Sequence, residues 1–216
     1  MKINEKKTKV ILFNRAKKYD FQPKLKIGVS EYLDVVDEVQ LLGIKVRSDL
    51  SWSSNTAYMC KRAFARLWIL RRLKPLGVST SILLDVYIKH IRCIVEYASP
   101  VWSGSLTKIE SKQIERVQKA AFAIILGSQY TNYNESLVTL ECESLTERRK
   151  IINLRFARKS ARNPKFSHWF CSNQSFRVNK TTRSCQKKSL APVQARTKTF
   201  SNSPIAYLTR LLIENK

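Results

Sequence analysis

Six cations and no anion lie between Asp49 and Asp85: Lys61, Arg62, Arg66, Arg71, Arg72 and Lys74. Side chains of this type, repeated along a helix, are suited to neutralising the phosphates of a polyanion. At about 100° per residue, Met59, Cys60, Ala63, Phe64, Leu67 and Leu70 share one apolar face, and Lys61, Arg62 and Arg72 fall opposite. A solvated amphipathic helix would carry the same pattern, but it would ordinarily mix in acids. A second interval, residues 148–213, holds sixteen Lys and Arg and no Asp or Glu. Its helical part brings Arg148, Arg149, Arg155, Arg158 and Lys159 into the candidate phosphate-binding set.

Catalytic groupings are missing. Asp20, Asp34, Asp37 and Asp49 stand at spacings with no metal logic. His168, Cys171 and Cys185 offer three ligand types without the paired cysteines or second histidine of a zinc site. The five glycines (28, 43, 77, 104 and 127) are isolated, so no glycine-rich loop cradles a phosphate. His90 sits at the margin of an apolar face with no carboxylate or nucleophile spaced to serve it.

These groups must be positioned by elements that the chain can afford to build. With 216 residues, 44% hydrophobic and 26% charged, the chain is globular and long enough for one domain or a small pair. A formal net charge of +24 and a pI near 10.1 make nucleic acid the default partner, with an anionic membrane surface second. No apolar run approaches the roughly 20 residues of a membrane span, and charged residues follow Met1 at once. Neither a transmembrane segment nor a secretory signal is expected. Five scattered cysteines fit a reduced, intracellular location, nuclear or cytoplasmic.

Residues 8–14 alternate as a strand, 25–29 form a second, and 35–46 hold two more about a turn at Asp37-Glu38. An antiparallel sheet is expected. Ser48-Asp49-Leu50-Ser51 is a turn, and helical periodicity begins near Trp52. Four helices are predicted: about 54–74, 82–98, 108–126 and 145–162. Pro75 and Pro100 act as stops, and capping boxes stand at Thr107/Glu110 and Ser144/Glu147. Residues 129–134, with Tyr130 and Tyr133, read as a polar loop, and 172–203 as a flexible basic segment. Tyr207, Leu208, Leu211 and Leu212 suggest a short terminal helix.

Leu41-Leu42-Gly43-Ile44 followed by Ser48-Asp49-Leu50-Ser51-Trp52 resembles the segment of non-LTR retrotransposon reverse transcriptases that closes the palm and leads into the thumb. Asn4-Glu5-Lys6-Lys7-Thr8 resembles the Asn-x-x-Lys-Thr stretch after their catalytic strand. The stretches from Glu115 to Ala121 and from Ser203 to Leu212 also resemble the end of such a reading frame. The order of these segments, more than any one of them, carries the likeness.

The resemblance implies a primer grip formed by Leu42, Gly43, Ile44 and Trp52, and a thumb that holds a template–primer duplex of RNA or DNA through its backbone. It makes Lys7 a candidate acid for the leaving pyrophosphate, in company with a palm and fingers encoded upstream in a parent polyprotein. The family's Tyr-x-Asp-Asp turn is not in this chain, so no cofactor is expected here and Mg2+ only for an intact polymerase. The expected fold class is α+β, mostly α. Residues 1–52 would be a partial palm end, 53–163 a thumb-like helical bundle, and 164–216 a basic, largely flexible region with a terminal helix. A basic, non-catalytic RNA- or DNA-binding component of a ribonucleoprotein is the alternative.

Overall fold

A computed structural model describes residues 8–13, 24–27, 31–170, 190 and 192–215. They are mostly helical, with two small antiparallel pairings. The chain divides into two compact units, Met1–Lys61 and Arg62–Lys216. That boundary lies inside the first long helix, which itself begins at the expected 52/53 junction.

In the first unit, β1 (Lys26–Ile27) pairs with β2 (Glu31–Tyr32), and β3 (Glu38–Leu41) with β4 (Ile44–Arg47). The turn of the second hairpin is Leu42-Gly43, not Asp37-Glu38. Both turn residues have positive φ, 47° and 85°, the requirement of a two-residue type I′ turn. Glycine meets that requirement freely, whereas leucine is strained there and is 83% exposed as well. Leu42→Asn should therefore raise stability by about 0.5–1 kcal/mol, read as a higher denaturant midpoint with unchanged slope. Among residues 8–13 no strand forms; Val10 makes one parallel bridge to Val35, so this part of the sheet is not antiparallel as expected.

Past the hairpin, the Asp49 carboxylate accepts from Arg47 Nε and Nη2 at 3.2 and 3.0 Å and from the Ser51 amide at 2.9 Å. These bonds, Arg47's foremost, hold its pKa down to about 2 and fix the predicted turn. Helix α1 (Ser53–Leu73) follows. Asn55, buried on its first turn, accepts from the Lys45 amide at 3.1 Å and so ties helix to hairpin.

The second unit is a helical bundle. Helix α2 (Thr80–Val86) runs through a π-helical stretch, Tyr87–Arg92, into α3 (Cys93–Glu96). Short α4 (Ser99–Trp102) leads to α5 (Lys108–Leu126), α6 (Tyr133–Thr139), α7 (Leu145–Arg162), α8 (Lys198–Ser201) and α9 (Pro204–Glu214). The Thr107–Glu110 capping box is complete, with the Glu110 amide donating to Thr107 Oγ1 and the Thr107 amide to Glu110 Oε2. Only half of the second box forms: Ser144 Oγ accepts from the Glu147 amide, while the Glu147 carboxylate turns to Lys150 at 2.8 Å.

The core gathers on α5. Ile114, Val117, Ala121, Phe122 and Ile125 are buried, and Tyr87 meets the Phe122 ring edge-on at 5.6 Å. A polar network runs through that core. Tyr87 donates to Gln118 Oε1 at 2.7 Å, and Gln118 Nε2 donates to Tyr133 Oη at 3.1 Å and to the Glu143 carbonyl at 2.9 Å. Tyr133 in turn donates to Glu115 Oε1 at 2.8 Å, which also accepts from the first amide of α7. Residues 129–134 are thus not simply a polar loop; Tyr133 opens a helix and its hydroxyl is committed to the core.

Described residues of the C-terminal region pack on α7. Leu208 and Leu212 of α9 pack with Ala157 and Phe170 in one cluster, joined by Leu190. The approach of α9 is close: a Cβ on Gly104 would lie 2.7 Å from Tyr207 Cβ, so only glycine fits beneath it. The expected terminal helix is present as α9. Most of the segment read as flexible, residues 171–189 and 191, lies outside the described residues. No helix among the described residues is long and apolar enough to cross a membrane.

Candidate nucleic-acid interface

Alanines and unbranched side chains make residues 57–73 a strong helix former, and the buried stripe of Ala63, Leu67 and Leu70 fixes which side faces solvent. Lys61, Arg62, Arg71 and Arg72 are exposed on α1. No carboxylate lies within ion-pair distance of Lys61, Arg71 or Arg72 among the described residues. Arg66 and Lys74 are spent differently. Arg66 Nη1 donates to the His90 carbonyl at 2.9 Å, and Lys74 Nζ donates to the Ile125 carbonyl at 2.6 Å, where it caps the end of α5. Half-buried and so engaged, these two link helices through carbonyl groups.

The apolar face of α1 also needs correcting. Phe64, expected in the core, is 40% exposed, and Trp68 is 60% exposed. At about 100° per residue Trp68 sits roughly 130° round the helix from the centre of the buried stripe, a position its residue type gave no reason to single out. Helical arithmetic from Leu67 and Leu70 would have found it.

On α7 the candidates separate by burial. Arg148 is ion-paired to Glu96 and, at 3.6 Å, to Glu143; the hydrogen bond with Glu96 raises its pKa. Arg149 is 4% exposed and donates through Nη2 to Ser111 Oγ and Thr146 Oγ1. Burial lowers its pKa, and Glu115 only partly offsets that. Arg148 is thus engaged by two carboxylates with its side chain 28% exposed, and Arg149 is engaged by two hydroxyls inside the fold. Arg155, Arg158 and Lys159 are exposed, with Arg158 donating to the Asn215 carbonyl at 3.1 Å. Arg155 and Lys159, one turn apart, therefore stand as a second pair of available cations.

Arg92 and Glu96, i,i+4 across the end of the π stretch, are largely buried and 3.6 Å apart. The π stretch holds more residues per turn than an α-helix, so side chains beyond it are rotated relative to those before it. Only the Lys89–Asp85 pair, at 2.6 Å, remains outside.

The primer-grip-like residues occupy the β3–β4 hairpin. Leu42 and Gly43 are its turn, Ile44 opens β4, and half-buried Trp52 immediately precedes α1. Lys7 lies outside the described residues, as do Cys171 and Cys185. Asp49 is held by Arg47, and Asp37 accepts from Ser48 Oγ at 3.3 Å. Among the described residues no three His, Cys, Asp or Glu side chains gather as a ligand set.

Comparison with protein-family models, characterised proteins and solved structures gave no match.

Proposed function

We propose that this chain holds a template–primer duplex by its sugar–phosphate backbone, as the thumb and connection region of a non-LTR retrotransposon reverse transcriptase, with the catalytic carboxylates supplied from elsewhere. The observation that carries this reading is the exposed face of α1, where Lys61, Arg71 and Arg72 have no acid within ion-pair distance among the described residues. Arg155 and Lys159 add a second pair, and the net charge of +24 supports a polyanionic partner. Cations without base-reading geometry contact phosphates, so binding is tolerant of sequence. The β3–β4 hairpin, with Leu42, Gly43, Ile44 and Trp52, would steady the primer end beside palm and fingers from the parent polyprotein. Its natural setting is intracellular.

The test uses purified protein and RNA–DNA hybrids of two unrelated sequences, titrated by fluorescence anisotropy across a salt series. Equal affinities that fall steeply with salt are expected. Strong sequence dependence, or binding indifferent to salt, would argue against backbone contact. In a parallel reaction with primer, template, nucleotides and Mg2+ or Mn2+, no extension is expected from this chain alone. Extension that tracks the protein through purification would overturn the absence of catalytic carboxylates.

A further inference from the structure

We propose that Trp68, with Phe64 beside it, stacks on an unpaired base, so that the chain prefers a duplex bearing a single-stranded overhang to a blunt one. The inference rests on the nucleic-acid reading above and adds to it a ligand that backbone contact does not require. Trp68 and Phe64 lie on adjacent turns of α1, with Arg71 and Arg72 on the next turn past Trp68. Among the described residues no ring or cation–π contact engages either aromatic side chain. At 60% exposure Trp68 contributes little to the core, and no acid between Asp49 and Asp85 opposes an approaching strand.

Two anionic partners would suit a cationic aromatic face: a nucleic-acid strand and a lipid surface. The aliphatic side chains decide between them. A helix lying in a membrane interface buries a broad aliphatic face, but in α1 Leu67 and Leu70 are buried within the fold, and the large apolar groups left exposed are the two rings. Rings flanked by arginines make a stacking platform for bases, each of which offers a π face whatever the sequence.

The full chain is titrated with a blunt DNA duplex, with the same duplex carrying a short thymidine overhang, and with phosphatidylserine vesicles. Trp68→Ala should weaken binding to the overhang duplex roughly tenfold, change blunt binding little and leave the salt slope unaltered. Trp68→Phe should keep most of the preference. Because Trp68 is exposed, both variants should melt like the parent protein. As a measure independent of Trp68→Ala, the overhang should quench tryptophan emission more in the parent than in Trp68→Phe. Equal loss on blunt and overhang duplexes, or no loss with equal quenching, overturns the stacking role and leaves backbone binding standing. Loss confined to vesicle binding overturns it in favour of a lipid surface. A parent protein that binds neither duplex overturns the nucleic-acid reading itself.

Discussion

Gln118→Leu should lower the unfolding free energy by about 2–4 kcal/mol, read by urea denaturation. Gln118 is 1% exposed, and its amide serves three partners at once: the Tyr87 hydroxyl, the Tyr133 hydroxyl and the Glu143 carbonyl. Leucine fills a similar volume, so any cavity is small and the cost comes from polar groups left unpaired. Tyr87 cannot relieve the loss by ionising, since burial first of all holds its pKa well above the ordinary value. Tyr133 is likewise raised, by burial and then by the Glu115 carboxylate it bonds. Stability within about 0.5 kcal/mol of the parent would mean that the network contributes no more than packing.

The second large effect concerns binding. Changing Lys61, Arg71 and Arg72 together to Gln should weaken duplex binding on the order of 10–100-fold near 0.1 M salt and reduce the log–log salt slope by roughly 2–3 units. Anisotropy titrations across a salt series measure both. Arg66→Gln supplies the contrast: its guanidinium donates to the His90 carbonyl, so its loss should show in thermal stability and leave the slope nearly unchanged. A triple variant with the parent's slope would remove α1 from the interface. An Arg66→Gln variant with a slope lowered by a full unit would return that residue to it.

Much of the architecture was legible because period and punctuation agreed. The helix beginning at Ser53, the Thr107 capping box and the end of α5 before Gly127 each follow from local rules that tertiary packing had no cause to override. The hairpin turn was misplaced because Asp37-Glu38 carries turn-type residues, whereas Leu42 adopts a positive φ that its type does not announce. The π stretch left no mark in composition, and beyond it Glu96 is largely buried against Arg148 of α7. The site was less legible than the fold. Sequence gives the sign of a side chain but not its neighbours, and Arg66, Lys74, Arg148 and Arg149 look like Arg71 and Arg72 until the carbonyls, carboxylates and hydroxyls that engage them are set beside them. Trp68 was passed over for the opposite reason: a large apolar side chain is expected inside, and only the direction of the buried stripe places it outside.

Phe170 and Leu190 meet the same cluster on α7 and α9, which makes the C-terminal helix a separable half of a split protein. Its hold on the rest is by packing: Leu208 and Leu212 against Ala157, and Tyr207 over Gly104. The α9 segment supplied as a separate peptide is therefore expected to seat on the rest of the chain through these contacts, against α7, the helix that bears Arg155 and Lys159.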